Sequence, residues 1–224
     1  SASTKAPAEL AYVLAKAEML VTLERPAEAL ALLNSKAQYF EHSAALRDAI
    51  GQLLVDSGKY SDAIEMFRQA SILSDDDPVI DERLGLAMYY AGEYRDAADV
   101  LSKLAATPAY ATQTDLLMAL GECNLHLSRY HDALDWFESA PQAKPTSTSA
   151  WLRVAQAAMQ LGDYRRADLA TYKAISLDPS NSDAQIMLGY VRLRQHRLND
   201  ALDAFVKASD LDPHDAVSVT MASM

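Results

Sequence analysis

The chain has 224 residues, half of them hydrophobic, and a formal net charge of −11. This charge repels the phosphates of DNA and RNA and so argues against a nucleic-acid-binding protein, while it favours solubility and suits a basic partner. No stretch approaches the ~20 apolar residues that a membrane span needs, and the single cysteine, Cys123, cannot form a disulfide within the chain. Seven glycines and eight prolines are few for this length, which favours a mostly helical protein.

Residues 1–7 are mostly small, and we expect them to form a flexible leader before the first helix. Such a segment is typical of the stretch after a cleaved signal or a lipidation cysteine. A cloning boundary would give the same sequence. The compartment therefore stays open between the cytoplasm and export to the periplasm.

From residue 8 onward a short phrase recurs: a turn residue, any residue, tyrosine, two further residues and alanine. Its copies begin at Gly58, Gly92, Ser128 and Gly162, with weaker copies at His196 and Glu24. Consecutive turn residues lie 34, 34, 36, 34 and 34 residues apart along the chain. A period kept this closely indicates tandem structural repeats.

Each period predicts two helices, called here helix A and helix B, on either side of the turn residue. A small residue seven places before each turn lets helix A approach helix B: Ala17, Gly51, Gly85, Gly121, Ala155 and Gly189. The predicted pairs are 8–22 with 27–39, 44–57 with 60–73, 78–91 with 94–106, 112–127 with 130–140, 148–161 with 164–177, and 182–195 with 198–211. We expect Pro141 to cut the eighth helix short, Asp77 to cap the fifth, and the Ser/Thr run 146–149 to cap the ninth.

The period and the phrase resemble those of the tetratricopeptide repeat, and the resemblance covers residues 8–213 in six copies. The copies are about 10–43, 44–77, 78–113, 114–147, 148–181 and 182–213, and residues 214–224 are expected to form a capping helix or a frayed tail. The resemblance implies an all-α fold, a right-handed superhelical solenoid of antiparallel helix pairs. It also implies a scaffold that binds a partner protein or peptide in a concave groove.

In the family, helix A lines this groove. The matching positions give as candidates Glu18, Asp48, Gln52, Glu82, Tyr89, Tyr90, Met118, Glu122, Leu125, Gln156, Met159, Tyr190 and Arg194, with Leu14, Thr22, Asp56 and Leu86 beside them. Acidic side chains gather in the first half, and Arg192 and Arg194 stand at the end. A partner segment with basic and apolar residues fits this order, but each apolar candidate could equally pack between neighbouring repeats.

The sequence contains few residue patterns that indicate a metal site or a catalytic site. The five histidines fall at turns or helix ends without metal-ligand spacing, and the acidic run 74–78 lacks the alternating ligands of a calcium loop. Neither a phosphate loop nor a nucleophile elbow is present. We therefore expect no catalytic residue, no metal and no cofactor, and we expect Cys123 to be a small buried apolar residue.

Three hypotheses arise from these patterns. The first is a scaffold or adaptor of the kind found among bacterial assembly factors and secretion chaperones. The second is a non-catalytic repeat segment of a larger enzyme such as a glycosyltransferase. The third is a self-assembling scaffold, a homo-oligomer in which the C-terminal segment docks into a neighbour's groove. The Lys and Asn clamp with which some members of the family hold the acidic tails of heat-shock chaperones is missing, which argues against that subtype.

Overall fold

The computed structural model describes residues 5–143, 147–214 and 220–221. Over these residues the chain forms twelve α-helices and no β-strand, so the predicted all-α fold class is confirmed. The helices are α1 Lys5–Thr22, α2 Pro26–Lys36, α3 Ala44–Asp56, α4 Tyr60–Leu73, α5 Pro78–Ala91, α6 Tyr94–Ala105, α7 Thr114–His126, α8 Tyr130–Ala143, α9 Thr148–Gln160, α10 Tyr164–Leu177, α11 Ser182–Arg194 and α12 Leu198–Leu211. Every predicted boundary lies within three residues of the observed one.

The helices pack as consecutive hairpins, in which each odd-numbered helix is a helix A and the even-numbered helix after it is a helix B. The residues divide into two compact units, Ser1–Leu104 and Ala105–Met224. The first unit holds α1 to α5 and nearly all of α6, and the second holds α7 to α12. Each unit therefore contains three helix pairs.

All six predicted turn residues adopt left-handed backbone conformations, with φ between 58° and 81°. Gly58, Gly92 and Gly162 reach this region without a steric penalty because they lack a Cβ. Glu24, Ser128 and His196 adopt it at a cost, since a Cβ disfavours the left-handed region. The phrase found in the sequence thus marks the end of each helix A.

In the second, third, fourth and sixth repeats, the small residue of helix A is a glycine that lies against a large side chain of helix B. A Cβ on Gly85 would lie 2.5 Å from Cδ2 of Leu101, so only glycine fits without a shift. In the fifth repeat the two positions hold Ala155 and Thr171, both fully buried. The Thr171 hydroxyl donates to the Ala167 carbonyl at 2.8 Å, so the smaller side chain satisfies its polar group and leaves room for the alanine methyl.

Two of the predicted helix caps are confirmed. The Asp77 side chain accepts a hydrogen bond from the Val79 amide at 2.9 Å, and the Ser147 hydroxyl accepts one from the Ala150 amide at 3.2 Å. Each satisfies an amide that the first turn of a helix leaves without an intrahelical acceptor.

Two predictions about helix ends are corrected. Helix α8 runs through Pro141 to Ala143, so the prediction that Pro141 ends it is wrong. A proline in the last turn removes a single backbone bond, which a helix end tolerates. Helix α1 begins at Lys5, so the predicted leader 1–7 overlaps its first turn by three residues. Of the predicted tail 214–224, residues 215–219 and 222–224 lie outside the described residues.

Candidate partner-binding face

Helices α1 and α3 of the first unit line an open hollow of about 450 Å³. Predicted groove residues lie every four positions on both helices, so they share one face of each. The lining residues are Leu14, Ala17, Glu18, Val21 and Thr22 from α1, Leu33 from α2, and Ala45, Asp48, Ala49, Gln52, Leu53 and Asp56 from α3. The hollow therefore brings the candidates Glu18, Asp48 and Gln52 together.

This hollow is acidic at its rim and apolar below. The Asp48 carboxylate is largely buried, and its Oδ2 accepts from the Gln52 amide at 2.8 Å and forms an ion pair with Arg83 of α5. Its other oxygen, Oδ1, is buried without a hydrogen-bond partner among the described residues. Glu18 and Asp56 are exposed and have no ion-pair partner in the described part of the chain. The hollow therefore carries unneutralised negative charge.

A second hollow of about 190 Å³ adjoins the first and shares Gln52 and Asp56 with it. Its other lining residues are Val55, Phe67, Arg83, Leu86, Ala87 and Tyr90, so most of its wall is apolar. We call the two hollows together the trench. The trench runs across α1, α3 and α5, all of them helices A of the first unit.

Tyr90 stands at the end of the trench with 56% of its surface exposed. Its ring stacks on Tyr60 at a centroid distance of 5.5 Å and tilts against Tyr89 at 5.1 Å, and Tyr89 in turn contacts Tyr94. Tyr89 therefore supports Tyr90 and does not line the trench. Glu82 is partly buried on α5 and also lies outside the lining of both hollows.

In the second unit most apolar candidates contribute to packing. Met118, Leu125 and Met159 are partly buried against a core cluster that includes Phe137 and Val154. These three residues agree with the alternative expectation that apolar candidates pack between repeats.

Arg153 contacts two polar candidates of the second unit, Glu122 and Gln156. Its Nε lies 2.6 Å from Oε1 of Glu122, and its Nη1 donates to Oε1 of Gln156 at 2.7 Å. Arg153 thus neutralises Glu122 and joins α7 to α9. The second unit therefore offers less free negative charge than the trench.

The predicted basic end of the groove is corrected at Arg192, which is only 4% exposed. Its guanidinium donates to Asp168 at 3.0 Å, to the Tyr172 hydroxyl at 2.7 Å and to Gln195 at 2.8 Å, so it fastens α11 to α10. Arg194 is exposed. Tyr190 lies edge-on to Phe205 at 5.4 Å and is half-buried.

The remaining sequence predictions concern chemistry other than partner binding. Cys123 is fully buried, as predicted, and burial, together with the neighbouring Glu122 charge, raises the pKa of its thiol to about 12. Among the described residues, no group of three or more His, Cys, Asp or Glu side chains is placed to hold a metal ion. Within the same residues, no helix has both the length and the apolar character required to cross a bilayer.

Comparison with known proteins supports the repeat assignment. Residues 5–218 match the family described as Cilia and flagella-associated protein 70 C-terminal domain. The chain is also similar to human Protein O-mannosyl-transferase TMTC1, at 27% identity over 105 residues. That match covers 47% of this chain and 12% of the human protein, so the chain spans about an eighth of that relative's length.

Two solved structures share the fold. The structure titled YrrB, a TPR protein with an unusual peptide-binding site, has a TM-score of 0.72 and 18% identity, over 86% of this chain and 98% of that one. PilW, described as a widely conserved type IV pilus biogenesis factor, has a TM-score of 0.74 and 16% identity, over 93% and 96%. At these identities the likeness concerns the fold.

Proposed function

Since the chain belongs to the Cilia and flagella-associated protein 70 C-terminal domain family, which is built from tetratricopeptide repeats, we propose that it is a non-catalytic module that binds a segment of a partner protein. The observation that carries the proposal is the trench, where three helices A present acidic, apolar and aromatic side chains on one continuous face. The peptide-binding site named in the YrrB title supports a peptide ligand by analogy.

The chemistry of the trench favours a ligand with a basic side chain followed by an apolar one. Glu18 and Asp56 are free to pair with an arginine or lysine, and the buried Oδ1 of Asp48 is an acceptor without a donor among the described residues. Charge-assisted hydrogen bonds of this kind are about twice as strong as neutral ones. The second hollow and the exposed Tyr90 ring suit an apolar or aromatic side chain.

The dimensions favour an extended ligand. Neighbouring packed helices lie ~10 Å apart, so a path from α1 to α5 spans ~20 Å. An extended chain covers this distance with about six residues. A short linear segment of a partner is therefore sufficient to occupy the trench.

A library of displayed peptides, about ten residues long, tests the proposal. We expect selected peptides to carry a basic residue and, a few positions later, an apolar or aromatic one. The variant Glu18→Gln with Asp56→Asn should weaken binding of a selected peptide about tenfold. Tyr90→Ala should weaken it by a similar factor through lost stacking. Asp99→Asn, at an exposed carboxylate on α6, is the matched control and should bind as the wild type does.

Binding measured by fluorescence polarisation gives a clear contrary outcome. If acidic peptides are selected, or if the Glu18 and Asp56 variant binds as tightly as the control, the trench is not the binding site.

The similarity of fold to PilW favours an assembly factor over a secretion chaperone as the wider role.

A second candidate function is favoured by the similarity to TMTC1. The chain would then be the non-catalytic repeat segment of a larger transferase, and the trench would hold a protein substrate or a second domain. A transferase domain in the same reading frame would support this candidate, and a reading frame that holds repeats alone would exclude it.

A further inference from the structure

The ion pair between Asp48 and Arg83 lies where the two hollows of the trench meet. Asp48 lines the first, larger hollow, and Arg83 lines the second. The Asp48 side chain is 15% exposed and the Arg83 side chain is 37% exposed, so both charges are partly withdrawn from water. The pair therefore presents its negative end to the first hollow and its positive end to the second.

Arg83 is held in place from the side of the first hollow. Its guanidinium contacts Oδ2 of Asp48, and the same oxygen accepts a hydrogen bond from the Gln52 amide at 2.8 Å. These contacts join α5 to α3 and fix the position of the positive charge before a ligand binds. A preorganised group of this kind acts on a ligand without a further cost of ordering.

The second hollow has one side chain of each charge on a mostly apolar wall. Arg83 supplies the positive charge, and Asp56, which lines both hollows, supplies the negative one. The apolar part of the wall consists of Val55, Phe67, Leu86, Ala87 and Tyr90. Because the two charges offset each other, a charged ligand side chain would lose hydration there without a net attraction. An uncharged apolar side chain has no such hydration to lose.

We propose that Arg83 is the specificity-determining residue of the trench, because it excludes a basic side chain of the ligand from the second hollow. The inference rests on the proposed function, since it concerns the segment that the trench would bind. Arg83 then sets the order of the ligand, with a basic residue in the first hollow and an uncharged apolar residue in the second. Specific binding sites often include a repulsive element of this kind against the wrong ligand.

The apolar wall of the second hollow does not supply this order by itself. Lysine has a flexible four-carbon stem that lies readily along apolar surface, so apolar contact alone admits it much as it admits methionine. Without Arg83, Asp56 would be unopposed in the second hollow, and Asp48 would lose its counter-charge. Both hollows would then attract a cation, and a segment with two basic residues would also bind.

The test uses the 224-residue chain and one peptide selected on it from the displayed library, made in two versions. The versions carry methionine or lysine at the apolar position that follows the basic residue. We expect the wild type to bind the methionine version at least about tenfold more tightly, because the lysine version meets Arg83. Arg83→Met should lower this affinity ratio at least about fivefold. Fluorescence polarisation measures both affinities.

Two further variants separate the charge of Arg83 from the integrity of the ion pair. Arg83→Met alone leaves Asp48 largely buried and unpaired, which can destabilise the fold. The double variant Arg83→Met with Asp48→Asn removes both charges, and its affinity ratio should fall as well. Asp48→Asn alone keeps the guanidinium in the second hollow. It should weaken binding of both peptides and keep the ratio of the wild type.

The matched control removes an arginine elsewhere in the first unit. Arg68 lies 3.8 Å from Glu93 and lines neither hollow of the trench. Arg68→Met changes the net charge of the protein as Arg83→Met does. It should keep the affinity ratio of the wild type, because its charge is absent from the wall of the second hollow.

The outcomes distinguish this inference from the proposed function. If the wild type selects basic and apolar peptides but the double variant keeps the full affinity ratio, Arg83 does not set the order and the proposed function stands. Loss of the ratio in Asp48→Asn alone or in Arg68→Met would also overturn the role of Arg83. A wild type that selects no peptide with a basic residue would overturn the proposed function, and this inference with it.

Discussion

Replacing Gly51 by alanine should destabilise the protein, although alanine is the better helix former. The new Cβ would lie 2.6 Å, 2.8 Å and 2.9 Å from Cε1, Cδ1 and Cζ of Phe67. The Phe67 ring is 1% exposed and cannot swing outward. Overpacking of this kind costs ~1–3 kcal/mol, and three ring carbons in contact favour the upper end. Alanine favours the helix over glycine by ~1 kcal/mol, so the expected net loss in the free energy of unfolding is about 2 kcal/mol.

A second substitution should relieve the clash. The first repeat pairs Ala17 with Leu33 at the same separation that joins Gly51 to Phe67. Phe67→Leu alone should cost ~1–2 kcal/mol through the cavity that it leaves. In combination with Gly51→Ala the methyl group fills part of that cavity. The double variant should therefore be no less stable than Phe67→Leu alone, which corresponds to a coupling energy of about 2 kcal/mol.

Urea denaturation followed by far-UV circular dichroism measures all four members of this cycle. Ala15→Gly, at an exposed position inside α1, is the control for helix propensity and should lose ~1 kcal/mol. A neutral or stabilising Gly51→Ala would refute the packing of α3 on α4 described above. Additive effects of the two substitutions would refute it as well.

Three other predictions concern single residues. Ser128→Gly should raise the free energy of unfolding by ~1 kcal/mol, because Ser128 has φ of 58°; a lower stability in urea would contradict this. Arg192→Met should lower the free energy of unfolding by about 2 kcal/mol, because it leaves Asp168 unpaired. Adding Asp168→Leu should restore most of that stability, and a double variant that stays as unstable as Arg192→Met would count against the buried pair. The wild type should lose stability relative to Cys123→Ala as the pH rises from about 9 to about 12. The thiol of the unfolded chain ionises from about pH 9, whereas the pKa of the folded thiol is about 12. A constant difference in stability between the two proteins across that range would contradict the raised pKa.

Much of the fold is predictable from local chemistry that the sequence displays. The turn phrase predicts where each helix A ends because left-handed backbone is needed there, and this holds even for Glu24, Ser128 and His196. Caps such as Asp77 are equally local. The prediction that Pro141 ends α8 is wrong because a proline ends a helix only when the surrounding structure does not support another turn.

The candidate site is less predictable because it depends on contacts between helices. The position of Arg192 in helix A suggests a groove residue, yet its side chain turns to Asp168 and Tyr172, which lie about twenty residues earlier. Arg83 is absent from the residues that the sequence predicts for the site, although it neutralises Asp48 and lines the second hollow. The separation of Arg83 and Asp48 by about one repeat is the signal that could have indicated the pair.

The most direct test of partner binding is hydrogen–deuterium exchange of the chain with and without a peptide selected from the displayed library. We expect slower exchange in α1, α3 and α5 on binding, and the same peptide with its basic residue changed to glutamate should leave exchange unaltered. Slower exchange confined to α2, α4 and α6, or equal protection by the glutamate peptide, would show that the trench does not bind the peptide.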